Sequence, residues 1–285
     1  MVKSYRPDTL PEALKLMETR DMIPFAGGTD LMVKYQSWKG TLPGFPKDVL
    51  FLNYISSLKK IEVKGETLVI GAGVTLSDVA DYPETPKVLR DAVLSIAAPG
   101  IRNIATLSGN ICNASPAGDS ICALYALDAS VVLSKSGGNR ECALPEFITG
   151  PGKTSLNSGE LLTAVKIPLK KANVQEFRKV GTRKANALSK LSFSAVAEIK
   201  GDTVDGIALA FGAVGPTVIR STELEKKLTG KTLEQIKLIQ KDIMNDYSAM
   251  IVPIDDQRST AAYRKQVALN LLKNFLESGL VQEMQ

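Results

Sequence analysis

Apolar positions recur at three-to-four-residue spacing in some segments of the chain and alternate in others, which separates helices from strands. Thr9-Leu10-Pro11-Glu12 has the residue order of a capping box, and the apolar Ala13, Leu14, Leu16 and Met17 behind it predict a short helix. A brief strand over 23–26 runs into Gly27-Gly28-Thr29-Asp30, with helix-compatible residues from Leu31. Two glycines and two prolines between Ser37 and Asp48 predict a loop. Short strands follow over 49–52 and 67–71, and a second capping box, Thr75-Leu76-Ser77-Asp78, predicts another helix.

From Ala92 to Gly118 the only charged residue is Arg102. The stretch is too rich in Pro, Gly and Asn for a membrane helix and reads as buried irregular backbone lined by small polar side chains, as a bound ligand requires. A helix over 119–127 and strands over 130–133 and 161–167 come next. Composition shifts at Lys170-Lys171-Ala172-Asn173, a predicted linker, and the remainder reads as a separate α+β unit. Its strands are expected over 192–199 and 204–214, around a turn at Lys200-Gly201-Asp202. Its helices are expected near 222–228, from the capping box Thr232-Leu233-Glu234-Gln235, and from about 259 onward. The last carries Tyr263, Val267, Leu271 and Phe275 at i, i+4 spacing, with Gly279 as its expected C-cap.

Charge and composition then narrow the chemistry. The chain has 35 Lys+Arg and 30 Asp+Glu, a net charge of +5 that is dispersed rather than gathered into a nucleic-acid-binding stripe. It has no histidine, which excludes Ser-His-Asp hydrolases, Cys-His proteases, His-ligated zinc and any imidazole base. Cys112, Cys122 and Cys142 are ten and twenty residues apart with no CxxC pair, so no metal or iron–sulfur site is expected on this chain. An odd thiol count suits reduced cysteines in the cytoplasm. The first seven residues hold no apolar leader core, and no apolar run approaches the roughly 18 residues of a membrane span.

Three glycine patterns compete for a phosphate. Gly71-Ala72-Gly73 follows a strand, but a dinucleotide fingerprint needs glycine where Leu76 stands. Gly152-Lys153-Thr154 imitates the end of a P-loop, whose first glycine is here Phe147. Gly27-Gly28-Thr29-Asp30 is the stronger pattern, because consecutive backbone amides between a strand and a helix can converge on an anion. Thr106-Leu107-Ser108-Gly109-Asn110 offers a second hydroxyl- and glycine-rich loop. Loop chemistry alone leaves open two readings, a pyrophosphate held from both sides or a pair of tight turns with no ligand.

Pro24-Phe25-Ala26-Gly27-Gly28-Thr29-Asp30-Leu31 and the run from Thr106-Leu107-Ser108-Gly109-Asn110-Ile111-Cys112 through Asn113-Ala114-Ser115-Pro116-Ala117-Gly118-Asp119-Ser120 resemble the two FAD-binding signatures of the flavoprotein (medium) subunit of molybdenum hydroxylases. That family includes the medium subunits of bacterial xanthine dehydrogenases and of aerobic carbon monoxide dehydrogenase. Ile101-Arg102-Asn103, Phe177-Arg178-Lys179-Val180-Gly181-Thr182-Arg183 and Tyr263-Arg264 are similar to further family landmarks, so the resemblance runs the length of the chain. Thr29-Asp30 departs from members that carry Gln-Ser there, which leaves the role of Asp30 open.

The resemblance implies an α+β fold: a vanillyl-alcohol-oxidase or PCMH-type FAD-binding domain over 1–170, in two lobes of roughly 1–55 and 56–170, then a C-terminal domain over 171–285 with a small antiparallel sheet and helices. It implies FAD extended between the two lobes, with Pro24 to Leu31 and Thr106 to Asn110 at the diphosphate. Asn113, Ser115 and Asp119 would approach the ribityl or flavin end, Leu161 would pack on the ring system, and Lys179 would lie near the isoalloxazine. Other readings stay open: Asp119 as a helix cap, Leu161 as strand core, Lys179 as a solvated lysine. No residue of the chain is assigned a catalytic role. The function implied is electron transfer from iron–sulfur clusters through FAD to NAD or another acceptor, in xanthine or purine oxidation. The molybdenum cofactor would sit on a large partner chain and the two-iron clusters on a small one. A self-sufficient flavin reductase on the same fold and a non-redox binding or assembly protein are the alternatives.

Overall fold

The computed structural model describes residues 2–38 and 40–281. Lys39, inside the loop expected between Ser37 and Asp48, lies outside the described residues. The chain forms two compact units that interleave along the sequence. The first comprises Met1–Thr85, Ala97–Ala114 and Ala129–Pro168, and the second Pro86–Ile96, Ser115–Asp128 and Leu169–Gln285.

The first unit holds a small parallel sheet of Ser4–Tyr5, Asp48–Phe51 and Met22–Phe25, with Asp48–Phe51 central. It also holds a five-stranded antiparallel sheet in the order Ile61–Lys64, Thr67–Gly71, Leu161–Pro168, Ser130–Lys135, Gly138–Ala143. Leu68, Ile70, Val131, Leu133, Val165 and Ile167 alternate along the central strands and are all but inaccessible, the period-two signature of a sheet with one covered face. The Gly71-Ala72-Gly73 pattern has a packing cause. A Cβ at Gly71 would strike the Leu58 carbonyl, and that carbonyl accepts from Gly73 N at 2.8 Å. Gly152, with φ of 66°, closes the turn between Ile148–Gly150 and Lys153–Thr154.

The Thr75 capping box forms in both directions: Thr75 Oγ1 accepts from Asp78 N at 3.1 Å, and Asp78 Oδ2 accepts from Thr75 N at 3.3 Å. At Thr9 only half forms, because Glu12 Oε2 accepts from Asp8 N instead. On the sheet edge Glu160 is buried against Arg140, whose Nε and Nη2 donate at 2.7 and 2.8 Å. The Arg140 hydrogen bond holds the Glu160 carboxyl down from the ordinary 4.5 to about 2. A folded-state value below the unfolded one stabilises the fold above about pH 4.5, and that stability is lost as pH falls through about 2. Glu160→Gln is therefore expected to lose about 1–3 kcal/mol at neutral pH. The deficit should fade in acid when urea unfolding is followed across pH.

The second unit is built on one antiparallel sheet, ordered Val174–Val180, Leu191–Lys200, Thr203–Gly212, Ile219–Arg220. Its long strands are buried on both faces. Odd-numbered Phe193 and Phe211 meet Phe275 and Tyr247 from the Ala261–Glu277 and Leu233–Met250 helices, with ring centroids 5.2–5.8 Å apart. Even-numbered Ser192 and Ser194 point the other way. Ser194 Oγ donates to Cys122 Sγ at 3.3 Å, and a Cβ at Gly212 would collide with Ser192 Oγ and touch Cys122. These small residues admit the Asp119–Ala126 helix, every residue of which is buried. Burial pushes the Cys122 thiol up to about 11, so it is an inert core thiol.

Two sequence expectations are revised here. The stretch 92–118 is not irregular throughout: it contains Pro99–Arg102 and Leu107–Asn113 helices and the end of Lys87–Leu94. Gly279 is not the C-cap: Ser278 caps the Ala261–Glu277 helix, and Gly279 opens a short 3-10 turn.

Candidate functional site

Two groups of residues carry the candidate chemistry, one in each unit. In the first unit Pro24 and Phe25 end the Met22–Phe25 strand, Ala26 and Gly27 leave it, and Thr29, Asp30 and Leu31 form the first turn of the Thr29–Lys34 helix. Gly28 makes the corner with φ of 72°, and a Cβ there would run into the Phe25 ring. Met32 N is the first amide to find an intrahelical acceptor, Gly28 O at 2.9 Å; the Thr29, Asp30 and Leu31 amides before it have none.

Gly27 brings the second signature alongside the first. A Cβ on it would overlap the Ile104 carbonyl and lie 2.9 Å from Ala105 Cα. Beyond Ala105, Thr106 caps the Leu107–Asn113 helix, its Oγ1 accepting from Gly109 N at 3.0 Å and its O from Asn110 N at 3.1 Å. Leu76 N donates to Ala105 O at 2.8 Å and Leu107 N to Val74 O at 3.4 Å, so the helix start is stitched to the start of the Leu76–Asp81 helix. Most amides of this second loop are thus used internally. Its free group is a side chain: the Ser108 hydroxyl is buried with no partner among the described residues. Asn113 is exposed and Leu161, first residue of its strand, is buried.

In the second unit, Ser115 Oγ accepts from Ala117 N at 3.3 Å and Asp119 begins the Asp119–Ala126 helix. Asp119 does not cap that helix; its carboxylate is the hub of a buried cluster. Lys179 Nζ donates to Oδ2 at 2.7 Å and Ser189 Oγ to Oδ1 at 2.5 Å, while Lys179 also reaches Ser95 O at 3.0 Å. Lys179 is 12% and Asp119 5% exposed, so this is not a solvated lysine. Burial pushes the Asp119 carboxyl above its ordinary value, against the opposing pull of Lys179 and Ser189. Sequence reasoning singled out Asp119 and Lys179 and missed Ser189 and Ser95. Ser189 lies ten residues beyond Lys179 across a loop, and Ser95 contributes only a carbonyl, so neither carries a sequence signal.

Comparison with known proteins bears on both groups. Residues 1–170 match the FAD binding domain in molybdopterin dehydrogenase, and residues 176–278 match the CO dehydrogenase flavoprotein C-terminal domain. The chain is 31% identical to the glyceraldehyde dehydrogenase medium chain of Sulfolobus acidocaldarius, covering 95% of this chain and 96% of that one. It is 26% identical to a putative xanthine dehydrogenase FAD-binding subunit of Escherichia coli K12, covering 97% and 95%. Among solved structures, a chain of reconstituted CO dehydrogenase from Oligotropha carboxidovorans superposes with a TM-score of 0.89 at 25% identity, covering 99% and 98%.

Proposed function

The chain belongs to the family of FAD-binding medium subunits of molybdenum hydroxylases, and from that premise we propose that it carries FAD on its two signature segments and relays electrons to NAD or another acceptor. The electrons come from two-iron clusters on a small partner chain, after substrate is hydroxylated at a molybdenum cofactor on a large one. Flavin supplies the step from one-electron to two-electron transfer; the protein supplies position and electrostatics.

The observation that carries this reading is the approach of the two signatures at Gly27, where only glycine admits the Ile104 carbonyl. The residues present fit a dinucleotide. The open amides of Thr29 to Leu31 are donors suited to a diphosphate, and the orphaned Ser108 hydroxyl is a buried donor awaiting an acceptor. In the second unit Asp119 accepts hydrogen bonds and Lys179 supplies a cation, each already oriented by the other.

Xanthine or another purine is the substrate we assign to the whole complex, supported by the Escherichia coli relative and by the Asn113–Ser120 form of the second signature. An aldehyde is the rival reading, favoured by the higher identity to the glyceraldehyde dehydrogenase chain. We place the protein in the cytoplasm, in keeping with its three free cysteines. Among the described residues no helix is long and apolar enough to cross a membrane.

The test is purification with and without co-expressed partner chains. The chain alone is expected to bind FAD with a flavin spectrum, yet to hydroxylate neither xanthine nor glyceraldehyde. The complex is expected to reduce its flavin on adding xanthine. A colourless chain that ignores added FAD would overturn the cofactor assignment, and flavin reduction by glyceraldehyde alone would overturn the purine assignment.

A further inference from the structure

Arg264 lies in the first turn of the Ala261–Glu277 helix and is 2% exposed. Burying a guanidinium is costly, and a well-packed apolar side chain serves stability as well or better. Its contacts are specific. Nη2 donates to Asp256 Oδ1, and Nη1 donates to the backbone carbonyl of Ala213 at 3.2 Å. Its Nε has no partner among the described residues, so the group is bound only through the fork of its two terminal nitrogens.

Both ends of this linkage are held. Asp256 also accepts from Arg258 Nη2 at 2.6 Å and from the Arg258 and Ser259 amides at 2.8 and 3.2 Å, which fixes its carboxylate on a tight turn. Ala213 is a buried non-glycine residue with φ of 61°, a left-handed conformation that costs about 1–2 kcal/mol and persists only where the surroundings impose it. What they impose is visible on its other side. Ala213 N donates to the Pro116 carbonyl at 2.8 Å, in the middle of the second signature. Gly118 N then bonds Ser115 O at 2.9 Å, and Asp119 follows at once.

We propose that Arg264 and Asp256 form a positioning clamp that acts through Ala213 on Pro116 and so sets the Ser115–Asp119 segment for FAD. The inference rests on the FAD-binding reading for its ligand but not for its mechanics. Arg264 is a positioning residue, more than a hundred residues from the segment it controls. A lysine cannot replace it, because a single ammonium does not span the two acceptors in the planar fork that arginine provides.

The test uses the full chain as Arg264→Lys, Asp256→Asn and, as a control for lost stability, Leu272→Ala, a fully buried residue of the same helix. Amide exchange over 115–119 is measured in the flavin-free chain, and FAD affinity by quenching of flavin fluorescence. Arg264→Lys and Asp256→Asn are expected to speed exchange over 115–119 and to weaken FAD about tenfold, the effect of losing one charge-assisted hydrogen bond. Leu272→Ala is expected to lower the melting temperature while leaving both unchanged. Unaltered exchange in both clamp variants would overturn the inference, as would a loss of FAD affinity in Leu272→Ala of the same size. Faster exchange beside a wild-type chain that binds no FAD would support the clamp and overturn the cofactor reading instead.

Discussion

Gly27→Ala is expected to weaken FAD binding up to about a hundredfold, the largest effect of any single methyl group in the first signature. The added Cβ would overlap backbone, at the Ile104 carbonyl and the Ala105 Cα, and backbone cannot rotate away as a side chain can. The loop must move off the second signature by a carbon's width, or the start of the Leu107–Asn113 helix must move with it. That helix start is fixed to Val74 and Leu76 by hydrogen bonds, so most of the displacement falls on the Gly27–Leu31 corner and its open amides. Gly28→Ala should do less. Its left-handed φ costs about 1–2 kcal/mol for a substituent, but the atoms it meets belong to the Phe25 ring, which can tilt. Gly109→Ala should do least, since its Cβ would press only on Thr106 Oγ1 and weaken a cap worth about 1 kcal/mol. The order Gly27, Gly28, Gly109 is read by titrating FAD into each chain. Wild-type affinity in Gly27→Ala would remove the contact between the signatures from the account of the site.

The parts of the fold that could be read in advance are those whose signals are local. The Thr75–Asp78 and Thr232–Gln235 boxes announce helices because hydroxyl and N3 side chain satisfy orphan amides within four residues. The strands over 67–71 and 161–167 announce themselves as short runs rich in Leu, Val and Ile. What stayed hidden has nonlocal causes. Ala97, between the Lys87–Leu94 and Pro99–Arg102 helices, and Ala114, the C-cap of Leu107–Asn113, adopt φ of 48° and 47°. Alanine gives no sign that it will take a left-handed turn, so the stretch reads as unbroken coil. The Val174–Val180 strand is an edge, with Gln175, Glu176, Arg178 and Lys179 diluting any apolar alternation. The packing of 115–128 with the C-terminal sheet depends on small residues at Ser192, Ser194 and Gly212, seventy to ninety positions beyond Cys122. The glycines and hydroxyls of both signatures were legible as types. That Ser108 would be left without a partner among the described residues and Gly109 would be used in a cap was not.

The second large effect is expected at the Asp119 cluster, and its sign depends on pH. Lys179→Met removes the cation from a buried carboxylate and leaves it Ser189 alone, a loss of about 3–5 kcal/mol near neutral pH. Burial already holds the Asp119 carboxyl above its ordinary value with Lys179 pulling the other way, so the variant raises it further. A carboxyl with a raised folded-state value favours the fold when protonated and loses that contribution as pH rises through the raised value. Lys179→Met should therefore recover stability when urea unfolding is moved from about pH 7 to about pH 5. The double variant Lys179→Met with Asp119→Asn, which leaves no buried charge, should be more stable than Lys179→Met alone at neutral pH and show no such recovery. Asp119→Asn by itself leaves Lys179 with the Ser95 carbonyl and an amide, and unmasks its positive charge. With FAD bound, that variant should make the flavin easier to reduce, since an uncompensated cation favours the reduced, anionic form. Lys179→Met should shift it oppositely. A pH-independent deficit in Lys179→Met would mean that the carboxylate is ionised and solvated rather than buried, and the cluster would then be a surface ion pair with no hold on its neighbours.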